Sequence, residues 1–139
     1  MTAEENKAMI RHLFEEALNQ RNVAVIDDVF ATDFVDHSAW PGQAPGPAGT
    51  KQGVTEILAS FPDLHVTVES VIGEGDQVAT REVWRGTHAA TGRHATGTVM
   101  HFFRITGGKI VDEWSQGWGW IEQLGTGLPT GEAASEMGS

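Results

Sequence analysis

The 139-residue sequence contains no cysteine, which excludes a disulfide framework, thiolate metal ligation and a cysteine nucleophile. Basic residues are scarce: 9 Lys and Arg stand against 19 Asp and Glu, for a formal net charge of −10. That balance repels phosphate backbones and anionic lipid surfaces, so neither nucleic acid nor a membrane is an expected partner. A solvated acidic surface accounts for the charge without one. No apolar run reaches membrane-spanning length, and the polar opening MTAEENKAMI has no signal-peptide core, so the expectation is a soluble, cytoplasmic protein. Metal-ligand spacings are missing as well: there are six histidines but no HxH, no HExxH and no pair set for one helix face. GEGD and GPAGTK lack the strand-to-helix context of a phosphate loop, and the adjacent His37 and Ser38 are not spaced as base and nucleophile.

What is present suffices for one domain with a single core. Thr2 followed by Glu5 fits a capping box, and Met9, Ile10, Leu13, Phe14, Ala17 and Leu18 then fall on one helical stripe. NVAVIDDVF predicts a second short helix capped by Asn22. Three prolines and three glycines forbid regular structure in AWPGQAPGPAG, a length that suits a lid or binding loop. TKQGVTEILASF predicts a third helix, stopped by Pro62. The period then changes to two: LHVTVESVI, QVATREVWRGTH, ATGTVMHFFRI and KIVDEWSQGW are strands, the last two joined by a tight hairpin at Gly107 and Gly108. Three helices followed by an antiparallel meander is an α+β plan, with the helices on one face of a curved sheet. The domain spans residues 1–125, and the tail 126–139 loses apolar periodicity and is expected to be flexible.

The ordered marks FVDHS, a Pro/Gly loop, FPDLHV, GEGDQVATREVWRGTH, TGR, HFFRITGGKIVDEWSQ and QLG resemble the SnoaL-like polyketide (ester) cyclases of the nuclear transport factor two-like superfamily. The resemblance runs to about Gly125 and implies a cone-shaped α+β barrel with a deep pocket between sheet and helices, frequent homodimers and no cofactor. It also implies a lyase or isomerase activity, the intramolecular aldol closure of a polyketide ester, with a proton-handling Asp on the last strand and a His on the strand before it. The histidine matches His101, whereas the aspartate position holds Ser115, which cannot serve as a carboxylate base. The same cone hosts other activities. One rival is a non-catalytic protein binding a small hydrophobic or polyketide-like ligand. Another is an epoxide-hydrolase-like enzyme, whose Asp–Arg–Asp relay Arg81 fits at one member while Val83 and Ser115 occupy the carboxylate positions.

With His101 pointing inward, alternation brings Val99 and Phe103 in beside it, and Glu113 shares the face of Ser115. Glu113 is the carboxylate nearest in sequence that could replace the missing Asp, since a carboxyl among aromatic walls has its pKa raised. Its alternative is an exposed strand-start residue paired with Arg81 or Lys109. Arg81 lies in the row of Ala79 and Val83. In related cones such an arginine enters the pocket and can hold an enolate oxygen; otherwise it faces solvent or a carboxylate. Glu82 and Trp84 would then face away, and Trp84 with Trp114 could bury a two-fold interface. His37 is expected at the pocket mouth by resemblance, or as a turn residue bonded to Asp36 or the loop backbone; His88 and His94 are expected in structural or solvated roles. Trp118 and Trp120 fold over one end, and Trp40 in the lid loop completes an aromatic mouth. The predicted site therefore comprises His101, Glu113, Arg81 and Ser115 for chemistry, and His37, Trp40, Val83, Val99, Phe103 and Trp118 for substrate contact, with no metal.

Overall fold

The computed structural model describes residues 1–122; the expected boundary at 125 and the tail 126–139 lie outside the described residues. Helix α1 (Ala3–Phe14) begins with the predicted capping box: Thr2 Oγ1 accepts from the Glu5 N–H and Glu5 Oε1 from the Thr2 N–H, both at 3.1 Å. The apolar stripe continues to Leu18, but as a π-helical turn, Glu15–Asn19. The widened turn brings the Asn19 side chain to the main chain of Val66, with which it exchanges two hydrogen bonds of 2.9 Å. Helix α2 (Val25–Val29) is shorter than expected, and Asn22 does not cap it with its side chain; its carbonyl accepts from the Val25 N–H instead.

The chain leaves α2 directly into a strand the sequence did not announce, β1 (Phe30–Asp36). Helix α3 (Pro47–Ser60) starts at Pro47 rather than Thr50, since proline in a first turn gives up an N–H that has no partner there. Four strands follow: β2 (His65–Glu74), β3 (Gln77–Thr87), β4 (His94–Thr106) and β5 (Lys109–Gln116), then a short α4 (Gly119–Glu122). They form the predicted meander, and β1 adds to its far edge in parallel with β5, giving the order β1-β5-β4-β3-β2. The sheet is curved but not closed into a barrel, so the expected cone is open between β1 and β2.

One face of this sheet carries Val66, Val78, Trp84, Val99, Phe103 and Ile110 into a common core with Ile10, Leu13, Phe14, Ile26, Ile57 and Phe61 from the helical side. Each such burial contributes about 1.5–3 kcal/mol, which fixes which row of every strand faces inward. The other face shows Met100, Phe102 and Trp114 to solvent. No helix among the described residues is long and apolar enough to cross a membrane.

Candidate active site

A cavity of about 160 Å³ lies between the sheet and the helices, lined by Leu13, Phe14, Ala17 and Leu18, by Thr50, Gly53, Val54 and Ile57 of α3, and by the inner rows of β3 to β5. On β3 that inner row is the opposite of the expected one. Val78, Thr80, Glu82 and Trp84 are buried, and Arg81 lies outside, paired with Glu69 at 2.9 Å. The reason is partnership. Arg81 and Arg85 share a row, and two arginines could not be buried without two anions; Glu82 finds three donors indoors. A register shift between Val68 and Ser70 on β2 leaves Glu69 unpaired in the ladder and within reach of Arg81. Val83 follows Arg81 out of the cavity, and Trp84 comes in from its expected place at an interface. No arginine lines the cavity among the described residues, so an Asp–Arg–Asp relay has no centre here.

Glu82 is fully buried, and its two oxygens accept from Thr80 Oγ1 at 2.6 Å, Trp84 Nε1 at 3.2 Å and His101 Nδ1 at 2.6 Å. A carboxylate can only accept, so Nδ1 is the protonated nitrogen and Nε2 is the one left for the cavity that His101 lines. Burial alone would lower the pKa of His101, but the charge and hydrogen bond of Glu82, with the more distant Glu113 and Asp36, raise it above the ordinary histidine value. The ring is clamped between Phe14, edge-on at 5.3 Å, and Phe103, stacked at 5.4 Å.

Across β4 and β5, His101 faces Ser115 and Phe103 faces Glu113, so Glu113 is a diagonal neighbour of His101 on the inner face. Glu113 is buried and makes no side-chain hydrogen bond within the described residues. Desolvation pushes its pKa up to about 7; His101 pulls against this, and Asp36 and Glu82 add to it. Asp36 faces Glu113 across β1 and β5 and lines the same cavity, held by Gln43 Nε2 at 3.1 Å and the Ser38 N–H at 2.9 Å. Glu82 and Asp36 are the two functional groups that the sequence reading missed.

The remaining candidates divide. Trp40 lines the cavity and lies across α3 where Gly53 has no Cβ, since a methyl there would stand 2.7 Å from the indole. Phe103 and Trp118 also line it, whereas Val99 is buried in the core and does not reach the cavity. Ser115 lines it with its hydroxyl accepting from Trp118 Nε1 at 2.9 Å. His37 is not at the mouth. It stacks on Trp114 at 4.4 Å on the outer face and bonds Asp112 through Nε2 at 2.8 Å, because it follows the inward Asp36 on an extended chain still bonded to β5 through the His37 N–H, and alternation points it outward. Trp120 is buried against Phe61 and closes the core rather than the pocket. Among the described residues no three His, Asp or Glu side chains are gathered as metal ligands would be. The arrangement offers a hydrogen-bonded imidazole and a carboxyl that titrates near neutrality, side by side in an apolar chamber: one proton donor and one acceptor.

Residues 8–117 match the family model for SnoaL-like polyketide cyclases. Among solved structures, wild-type IdmH from Streptomyces antibioticus, provisionally named a polyketide cyclase, is 30% identical, with a TM-score of 0.73 over 85% of this chain and 96% of its own. TsrD from Streptomyces laurentii superposes with a TM-score of 0.80 at 19% identity over 91% and 98% of the two chains. AclR from Streptomyces galilaeus, provisionally named a hydroxylase, gives 0.76 at 24% identity over 92% and 89%. No curated protein matches the chain in sequence.

Proposed function

The chain belongs to the SnoaL-like polyketide cyclase family, and from that premise we propose that its pocket carries out cofactor-free acid–base ring closure on a small, apolar, oxygenated substrate such as a polyketide ester. The observation that carries this reading is Glu113: buried, without a hydrogen-bond partner among the described residues, and beside the Glu82–His101 pair. As the carboxylate, Glu113 removes a proton from a carbon between two carbonyls. The resulting enolate carbon bonds to the carbon of a third carbonyl, whose C=O π pair moves to oxygen. That oxygen takes the proton from His101 Nε2. Glu82 touches no substrate; it holds His101 in the tautomer and charge state that can donate. Glu113 thus takes over the role of the missing aspartate two residues along the same strand face, and the apolar walls fold the chain and exclude water.

The test uses deuterium oxide and an aromatic β-keto ester, followed by proton NMR at the acidic carbon. Wild-type protein should speed loss of that signal, and Glu113→Gln should abolish the acceleration. Binding without any acceleration would overturn the catalytic reading in favour of a ligand-binding protein, a reading supported by Ser115 at the position where the resemblance implies a carboxylate. The homodimer expected from the resemblance would be seated on the outer face around Met100, Phe102 and Trp114. Sedimentation equilibrium of wild type and Trp114→Glu tests that.

A further inference from the structure

Ser115, at the position where the resemblance implies a carboxylate, is engaged in two hydrogen bonds of its own. Its Oγ accepts from the Trp118 indole, and its backbone N–H donates to Ser38 Oγ at 2.9 Å. Trp118 reaches that bond because Gly117, at φ 108°, turns the chain back as β5 ends; a Cβ there would lie 2.2 Å from the Thr98 carbonyl oxygen. The indole is then held edge-on to Trp84, at 4.9 Å and 76°, and edge-on to His101, at 5.9 Å and 85°. Trp84 is anchored in the same way by its N–H on Glu82. Two indoles, each pinned by a hydrogen bond to a strand residue, therefore form a right-angled corner beside the proposed proton donor. The pocket that they help to line has a volume of about 160 Å³. An apolar cavity of about 150 Å³ accommodates one benzene ring.

We propose that the Ser115–Trp118 hydrogen bond is the size filter of this pocket: with the indole pinned, the site takes a single six-membered ring bearing two oxygens in meta relation and excludes fused rings. The inference rests on the reading of this cavity as the substrate site and adds to it the substrate's size class. One ring oxygen meets His101 Nε2, and the carbon between the two oxygens lies towards Glu113. Ser115 serves as a post for a wall, and Trp118 determines specificity without taking part in proton transfer.

Calorimetric binding of resorcinol and of its two-ring analogue naphthoresorcinol tests the filter in wild type, Ser115→Ala, Trp118→Ala and Trp118→Phe. Wild type should prefer resorcinol by at least about tenfold, and Trp118→Ala should reverse the order by a similar factor. Ser115→Ala and Trp118→Phe, which lose only the pin, should both narrow the wild-type preference, and they decide the matter if Trp118→Ala does not fold. Equal binding of the two probes to wild type, an unchanged preference in the variants, or no binding of either probe to any of them would overturn the proposal. A protein that selects resorcinol but exchanges no deuterium keeps the filter and loses the catalysis; one that exchanges deuterium and binds both probes alike does the reverse.

Discussion

Two histidine–carboxylate pairs lie on opposite faces of the same sheet and have nearly the same length, 2.6 Å for His101 with Glu82 inside and 2.8 Å for His37 with Asp112 outside. Their surroundings differ. The inner side chains are 7% and 0% exposed, the outer ones 37% and 15%. Inside, burial has raised the pKa of a neighbouring carboxyl, Glu113, to about 7, and the group has no side-chain hydrogen bond among the described residues. Outside, His37 and Arg104 share Asp112 and hold it below the usual carboxylate range, with water at hand to screen what remains. A short bond between an imidazole and a carboxylate is thus no mark of chemistry. Withdrawal from water is what moves a pKa to where a proton can be both taken and returned.

The sharpest way to break this comparison is to remove one histidine from each pair. His101→Ala should slow the deuterium-exchange reaction by about 10²–10⁴-fold, the range of a lost general acid or base, and His37→Ala should leave it within about twofold. Equal losses would mean that the outer pair serves the reaction too. The rate in wild type should rise with pH as Glu113 ionises through about 7 and fall again at higher pH as His101, whose pKa is raised, loses its proton. Glu82→Ala carries the next effect. It strands a buried imidazolium and should cost about 3–5 kcal/mol in denaturant unfolding at pH 6. A loss under 1 kcal/mol, the scale of exposed pairs, would show that the inner pair is no more than a surface pair in a deeper place.

What could be read from the sequence followed the strength of its alternation. On β4 the row of Val99, His101, Phe103 and Ile105 is the more apolar and was legible as inward. On β5 neither row is apolar, and Glu113 and Ser115 were placed inward only through the resemblance, whereas the meander and the capped first helix were legible from turns and capping. On β3 both rows mix polar and apolar residues, and reading Arg81 as inward hid Glu82 and Trp84. A signal was available: Arg85 shares the row of Arg81, and two cations on one row point to solvent unless two anions answer them. Strand β1 had no such signal. It finds its partner β5 about eighty residues away, and a parallel edge strand leaves no hairpin in the sequence to announce it. Asp36 was missed with that strand, because only its pairing opposite Glu113 makes it part of the site.

A third test concerns what the inner site costs the fold. The folded-state pKa of Glu113 stands at about 7 against an ordinary 4.5. Between those values the native state holds more protons than the unfolded chain, so stability falls as pH rises through the window and levels off above it. Glu113→Gln removes the titration. The variant should therefore gain on wild type by about 3 kcal/mol between pH 4 and pH 8, measured as the difference of their denaturant unfolding free energies. Parallel curves would show that Glu113 ionises as easily as an exposed carboxylate, and the contrast between the two faces would lose its basis.

The smallest effect belongs to the outer pair, and its sign is opposite. Asp112 has a depressed pKa, so what it contributes is present above the ordinary 3.8 and is lost as pH falls through its lower folded value. Its hydrogen bonds from His37 and Arg104 lie near the surface, where such pairs are worth about 0–1 kcal/mol and salt reduces them further. Asp112→Asn should accordingly lower stability at pH 7 by no more than that, less in high salt and not at all in strong acid. Glu113→Gln should differ from wild type only at the alkaline end and respond little to salt. Measured side by side, the two substitutions would give pH dependences of opposite slope from the same strand. A large, salt-insensitive loss in Asp112→Asn would mean that the outer face is covered in solution, and then His37, Trp114 and Asp112 would have to be treated as buried groups themselves.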